Sequence, residues 1–408
     1  MIIKEYIKKF EELGLGMFVH FGLYSINAKG EWAYGRNISA EDYEKLFYSF
    51  DPDTDWAENL VSTAKNAGCK YITLTTRHHD GFSLFDACGL SEYDAPHSPA
   101  GRDIVREFVD ACNRHGIIPF FYHTLLDWHD KRYKENFPEY LKYLRASVEL
   151  LCKNYGKIGG LWFDGNWSKP GADWEEDALY ATIRKHQPEA MIINNTGLSE
   201  RGYITNPEID SVTFEQGRPT PMDREGHPKY VAAEMCHTMN NHWGFGAHDC
   251  NYKSLAHLIE TLCACRKVGA NYLLNIGPTG EGEIPFMQEA LLRGIGEWIR
   301  ATGNVIYKAK PCGVTGNGKD FVLSDGNKLY FFVHGLHVTG DGNVVVDRGG
   351  DDTAGCFAGI PGKIKSIRWT DTGHEMNFTQ DGDKLSVNFT HFPYGSDLVV
   401  RVAEAELM

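Results

Sequence analysis

Along the first three-quarters of the chain, short apolar runs rich in β-branched and aromatic residues alternate with longer stretches whose apolar positions recur at helical spacing. The short runs predict strands over 16–21, 71–75, 117–122, 160–163, 190–194, 230–235 and 271–276. The longer stretches predict helices over 55–67, 102–115, 138–155, 174–186, 252–268 and 285–301. Asp53 or Thr54 and Ser254 are candidate N-caps. Gly68, Gly116 and Gly269 follow helix ends, where a left-handed backbone costs glycine least. Strands separated by helix-length segments imply parallel βαβ units. About seven such units in some 300 residues favour a (β/α)8-type barrel over a doubly wound sheet. No G-x-G-x-x-G follows the first strand and no G-x-x-x-x-G-K-[ST] occurs, so neither nucleotide-binding fold has support.

The pattern changes after residue 308. Lys310-Pro311-Cys312-Gly313 opens a Gly- and Asp-rich stretch with short alternating runs over 320–323, 328–333, 343–346, 363–369, 384–389 and 397–402. Asp325-Gly326, Asp341-Gly342 and Asp381-Gly382 fall between runs, as hairpin turns do. The expected organisation is a barrel over 1–308 and an antiparallel β-sandwich over 309–408. Trp369 and Tyr394 read as exposed aromatics of that sandwich, a slender hint of a lectin-like module.

Composition changes this picture little. A chain of 408 residues with 42% hydrophobic and 24% charged residues has room for a large core plus an appended domain. The formal charge of -14 argues against nucleic acid as a partner and offers no cationic patch to an anionic membrane. No apolar run approaches the ~20 residues that span a bilayer. Lysines and glutamates in residues 1–12 interrupt any signal-like apolar stretch. The ten cysteines form no C-x-x-C pair, and Cys69, Cys263 and Cys265 lie in apolar contexts. Buried thiols in a reducing cytoplasm are therefore the expectation.

In a parallel barrel the ligand site forms where strands end and βα loops begin. Five predicted strands end in polar or aromatic groups: His20; Thr75-Thr76-Arg77-His78-His79-Asp80; Tyr122-His123 with Asp127-Trp128 beyond; Trp162-Phe163-Asp164-Gly165; and Asn194-Asn195. Packing alone does not explain that convergence. Aromatic faces stack on the C–H face of a pyranose, while His and carboxylates bind hydroxyls. Glycoside hydrolysis needs two carboxyl groups, one ionised and one protonated. Adjacent strand residues point to opposite faces, which argues against His78 and His79 sharing a metal ion; no zinc or facial-triad motif occurs either. His123 reads as a hydrogen-bonded strand-end residue. Asp164, by position alone, is either a backbone-binding cap or a functional carboxylate, and Trp162 projects to the same side of the strand.

Taken together, these segments resemble the α-L-fucosidases of glycoside hydrolase family 29. The matching pieces are Gly16-Met17-Phe18-Val19-His20-Phe21-Gly22 with Glu31-Trp32, Arg77-His78-His79-Asp80-Gly81-Phe82, Tyr122 with Asp127-Trp128, and Leu161-Trp162-Phe163-Asp164-Gly165. Glu234-Met235-Cys236, Trp243-Gly244-Phe245 and Asn271-Tyr272-Leu273-Leu274-Asn275-Ile276-Gly277-Pro278 follow in the family's order. The resemblance implies a barrel with a C-terminal β-sandwich and a retaining, exo-acting hydrolase of fucosylated oligosaccharides or glycoconjugates that needs no cofactor. It implies Asp164 as nucleophile, and His20, Glu31, Trp32, His78, His79, Tyr122 and Trp162 around the sugar, with Trp243 as an apolar wall.

For the acid/base, Thr213-Phe214-Glu215-Gln216 fits the family's pattern best, and Glu215 is the first choice. Glu234 is the second; alanine precedes it where relatives carry tryptophan. Glu208 is a third contender. Relatives often have an arginine just past the fifth strand, and Asn194-Asn195-Thr196 has none. The segment typical of α1,3/4-restricted relatives is not found. The rival readings are an α-L-galactosidase-like enzyme on the same scaffold and a carbohydrate-binding protein without catalysis.

Overall fold

The computed structural model describes residues 2–196, 201–222, 228–340 and 354–408. The chain divides into two compact units, Met1–Lys253 with Asn271–Arg293, and Ser254–Ala270 with Gly294–Met408.

The first unit holds a closed parallel barrel of eight strands: β1 (Leu15–Val19), β2 (Tyr71–Arg77), β3 (Ile118–Thr124), β4 (Gly160–Asp164), β5 (Met191–Asn195), β6 (Ser211–Glu215), β7 (Ala232–Thr238) and β8 (Asn271–Ile276). The ring closes where β8 pairs with β1, Leu273 opposite Gly16. Seven strands coincide with the seven apolar runs. The eighth, β6, escaped because its inward positions are Ser211, Thr213 and Glu215, so its alternation is polar inside and apolar outside.

Every second residue of each strand enters the barrel, and the layers change character along the axis. The layer nearest the strand N-termini is aromatic. Tyr71, Phe120 and Met191 meet Phe10 and Ile7 from the helix Glu5–Glu11, with Phe10 5.5 Å from Tyr71 and 5.6 Å from Phe120 between ring centroids. Burying each such side chain contributes roughly 1.5–3 kcal/mol. Gly16 makes this layer possible, because a Cβ there would stand 2.3 Å from the Tyr71 ring. Phe18, Tyr122 and Trp162 form the next layer. The last inward positions before the loops are polar.

Helix ends follow the expected chemistry with one exception. Ser254 caps its helix by accepting from His257 N at 3.2 Å, and Gly68, Gly116 and Gly269 have φ of 93°, 69° and 78°. The helix Trp56–Asn66 has Asp55 at its N-cap, not Asp53 or Thr54. The Asp55 carboxylate takes the Asn59 side chain at 3.0 Å rather than a backbone amide.

The second unit carries an antiparallel eight-stranded sheet of β9 (Lys310–Gly316), β10 (Phe321–Ser324), β11 (Lys328–His334), β12 (Gly355–Ala358), β13 (Ile364–Trp369), β14 (Phe378–Asp381), β15 (Lys384–Val387) and β16 (Val400–Leu407). Their order is β13-β16-β11-β10-β9-β12-β15-β14. This is the anticipated C-terminal β-sandwich. Asp325-Gly326 and Asp381-Gly382 turn β10 into β11 and β14 into β15, with Gly326 and Gly382 at φ 94° and 59°. The expected run 343–346 and the Asp341-Gly342 turn lie outside the described residues. Trp369 is not exposed: it is a core residue at 1% exposure, its Nε1 donating to Thr390 Oγ1 at 2.8 Å. Tyr394 is exposed. The aromatic pair that hinted at a lectin-like surface is thereby reduced to one residue.

Candidate active site

The polar strand ends converge on a cavity of 170 Å³ in the first unit. Of the residues expected to surround a sugar, it brings together His20, Trp32, His78, His79, Tyr122, Trp162 and Trp243, with Asp164 and Glu215. Glu31 and Glu234 do not reach its wall.

Asp164 is the last residue of β4 and is held from four sides. Trp167 Nε1 donates to Oδ1 at 3.0 Å, Tyr122 OH donates to Oδ2 at 3.3 Å, and His79 Nε2 stands 3.5 Å from Oδ2. Asn195 Nδ2 lies 3.5 Å from Oδ1. Burial pushes the carboxyl pKa up, but the bonds from His79, Trp167 and the Gly165 amide outweigh it and hold Asp164 below the ordinary aspartate value. Gly165 lets Trp167 return. Its φ of 106° is left-handed, and a Cβ would meet Leu126 at 2.9 Å.

Glu215 ends β6 with the opposite electrostatics. Burial and the neighbouring Asp164 charge raise its pKa to about 7, against the lowering effects of the Asn195 bond and of Arg201. Asn195 Nδ2 donates to Glu215 Oε2 at 2.7 Å, so one atom links the two carboxylates. Thr213 Oγ1 fixes that amide by donating to Asn195 Oδ1 at 2.9 Å.

Two histidines are neutral at physiological pH. Burial takes His20 down to about 3, although its bond to Asn275 opposes the shift, and burial with two histidine neighbours drives His78 well below its ordinary value. His79 is oriented by Thr124, whose Oγ1 lies 2.7 Å from Nδ1. His78 and His79 both line the cavity, with ring centroids 4.1 Å apart. The strand alternation that was expected to separate them stops at Arg77, one residue earlier. Among the described residues, no group of three or more His, Cys, Asp or Glu is arranged to hold a metal ion. His123 is buried outside the cavity, its Nδ1 3.0 Å from Thr76 Oγ1, as a structural strand-end residue would be.

Glu31 lies behind the wall. Its Oε2 accepts from the backbone amides of Trp243 at 3.0 Å and Gly244 at 2.8 Å, and Asn275 Nδ2 donates to Trp243 O at 2.7 Å. The loop bearing Trp243 is thus tied to β8 and to Glu31. Glu234, the third residue of β7, sits deeper in the barrel at 1% exposure, accepting from Tyr71 OH and, at 3.0 Å, from Trp162 Nε1. Burial raises its pKa to about 7 despite both bonds. Glu208 pairs with Arg184 at 3.1 Å and does not line the cavity.

Three wall residues had not been singled out, Phe18, Trp167 and Cys236, and Asn195 had been placed among the polar strand ends without a role. For Phe18 and Cys236 the signal was available, because they share an inward period with strand-end neighbours. Trp167 lies in a loop, where no period applies.

A family model described as alpha-L-fucosidase matches residues 3–304. The chain belongs to the α-L-fucosidase family. Its members are glycoside hydrolases, and this family member is an enzyme of that class. It is 32% identical over 343 residues to the tissue alpha-L-fucosidase of Mus musculus, covering 74% of this chain and 71% of the mouse protein. Among solved structures, alpha-L-fucosidase isoenzyme 1 from Paenibacillus thiaminolyticus matches with TM-score 0.84 and 33% identity over 99% of both chains. An alpha-L-fucosidase from Bacteroides thetaiotaomicron, trapped as a covalent intermediate, shares the fold at TM-score 0.81 and 22% identity, over 99% of this chain and 96% of that one.

Proposed function

We propose that this enzyme is a retaining, exo-acting α-L-fucosidase that releases terminal α-L-fucose from fucosylated oligosaccharides or glycoconjugates. The observation that carries the reading is the Asn195 bridge. Because one Nδ2 atom lies 2.7 Å from Glu215 Oε2 and 3.5 Å from Asp164 Oδ1, those two oxygens are separated by no more than the sum of the two distances. That ceiling on the bridged oxygen pair admits the ~5–5.5 Å of a retaining pair. A cavity of 170 Å³ suits one terminal sugar.

In this reading Asp164, held ionised by its donors, attacks the anomeric carbon while the glycosidic C–O bond breaks. Glu215, whose pKa of about 7 keeps it substantially protonated near neutrality, gives its proton to the leaving oxygen. Its carboxylate then takes a proton from water, whose oxygen attacks the same carbon and releases Asp164. His20, His78 and His79 bind ring hydroxyls, and Phe18 with Trp243, 5.8 Å apart between ring centroids, offers an apolar side to the sugar's methyl group. The two carboxyl groups supply all the proton and nucleophile chemistry, so no cofactor enters.

The test is Asp164→Gly assayed on an aryl α-L-fucoside. Turnover should fall by at least about 10⁴-fold, the scale on which covalent nucleophiles act. Azide should restore product as β-L-fucosyl azide, since it enters from the vacated face. Full activity in the variant removes the assignment. Faster wild-type hydrolysis of the aryl α-L-galactoside would keep the mechanism and change the sugar.

A further inference from the structure

Next to the catalytic cavity lies a groove of 1080 Å³, several times its volume, walled by the loop after β4 and the start of the helix Glu176–His186. The two spaces share Trp167, whose indole N–H holds Asp164. On the other side the groove reaches Thr196, the residue after the Asn195 that joins Asp164 to Glu215. The groove therefore adjoins the cavity wall on the side of Trp167 and the end of β5.

The lining is that of a sugar-binding surface with an unmet polar demand. Trp174 is 7% exposed, yet its Nε1–H has no partner among the described residues. A buried indole N–H left without an acceptor is unfavourable, and a ligand hydroxyl would supply one. The Trp174 ring is set by Phe137 at 5.1 Å and near-perpendicular packing of 85°. Asn166 Oδ1, also buried in the lining, likewise has no partner among the described residues. Asp173 and Asp177 give the walls negative charge, while Glu175 is paired with Arg145 and burial raises the pKa of Glu176; Lys169 is the cation among the described lining residues. Lys169 is drawn back over Tyr133 and Phe137, 4.7 and 5.0 Å from their ring centres.

We propose that this groove is the leaving-group subsite of the hydrolase, binding a neutral oligosaccharide through its hydroxyls and turning away anionic ones. The inference rests on the fucosidase reading, and the experiment separates the two. Wild-type turnover of an aryl α-L-fucoside, whose leaving group is too small to fill the groove, tests the reading. The groove is tested by Trp174→Phe, which keeps the ring and removes the N–H. On a neutral fucosylated oligosaccharide, kcat/KM should drop about five- to tenfold, while on the aryl fucoside it should stay within twofold, which also certifies folding. Asp173→Asn with Asp177→Asn keeps acceptors and removes charge. The wild type should prefer the neutral substrate over its sialylated counterpart by at least tenfold, and this double variant should narrow that preference. Equal losses on aryl and oligosaccharide substrates, no loss on either, or wild-type indifference to the sialic acid would each overturn the proposal.

Discussion

The barrel contains two glutamates whose pKa values are both pushed to about 7, the half-buried Glu215 and the fully buried Glu234, and they live in different surroundings. Glu215 faces the ligand cavity, with Asp164 as its electrostatic neighbour and one amide bond. Glu234 lies in the layer below, without access to the cavity, and is clamped by Tyr71 and Trp162. In Glu234 burial alone raises the pKa; in Glu215 a nearby carboxylate adds to burial. A perturbed pKa therefore marks desolvation, and desolvation by itself does not mark an acid catalyst. What separates the two is access to the space where a substrate sits and a partner carboxylate of opposite protonation.

The largest expected difference between these regions is in rate. Glu215→Ala should cut kcat/KM on an oligosaccharide by about 10²–10⁴-fold, the range for losing general acid catalysis, with a milder loss on an activated aryl leaving group. Glu234→Gln should stay within about tenfold on both substrates. The reverse pattern would move the acid/base to Glu234.

Stability should show the opposite contrast. Glu234→Leu leaves the Tyr71 hydroxyl and the Trp162 N–H buried without an acceptor, at a cost of about 3 kcal/mol by urea denaturation at pH 7. Glu234 also makes stability pH-dependent. Its folded pKa lies above the ordinary 4.5, so its contribution is complete below about 4.5 and is lost as pH rises towards about 7. Glu234→Gln should flatten the decline in stability between pH 5 and pH 8 by up to about 3 kcal/mol. An unchanged slope would mean that Glu234 is ionised throughout.

The pH profile of kcat/KM sharpens the comparison at smaller amplitude. The alkaline limb should fall near pH 7, where Glu215 loses its proton, and the acid limb below the ordinary aspartate range, where Asp164 gains one. Asn195→Ala removes a bond that favours ionised Glu215, so its alkaline limb should move to higher pH. Glu234→Gln should leave that limb in place, and a limb that shifts there would reassign the titrating group.

Much of this was legible because barrel strands alternate. Period two puts Trp162 and Asp164 on one side of β4, and the polar strand ends mark where the cavity lies. Where the period breaks, the reading failed. β6 went unrecognised because its inward face is Ser211, Thr213 and Glu215, inverting the usual polarity of a core strand. His78 and His79 were separated by an alternation that had already ended at Arg77. Trp167 reaches Asp164 only through the left-handed turn at Gly165, and no spacing rule encodes that return. Trp369 looked exposed because a short strand with Lys and Arg around it gives no measure of what covers the far side.

Glu31 tests whether a residue expected at the sugar can act from behind the wall. Its carboxylate is spent on the Trp243 and Gly244 amides, two bonds strengthened by its charge, and those bonds set where the Trp243 ring stands. Glu31→Gln keeps an oxygen but loses the charge and puts an NH₂ beside one of the two carboxylate positions. The Trp243 wall should loosen while Asp164 and Glu215 keep their partners. KM for an aryl α-L-fucoside should then rise about tenfold, the size of one weakened charge-assisted bond, with kcat changed less than threefold. A fall in kcat at constant KM would instead put Glu31 in contact with the reacting sugar and bring it back into the cavity from which this geometry removes it.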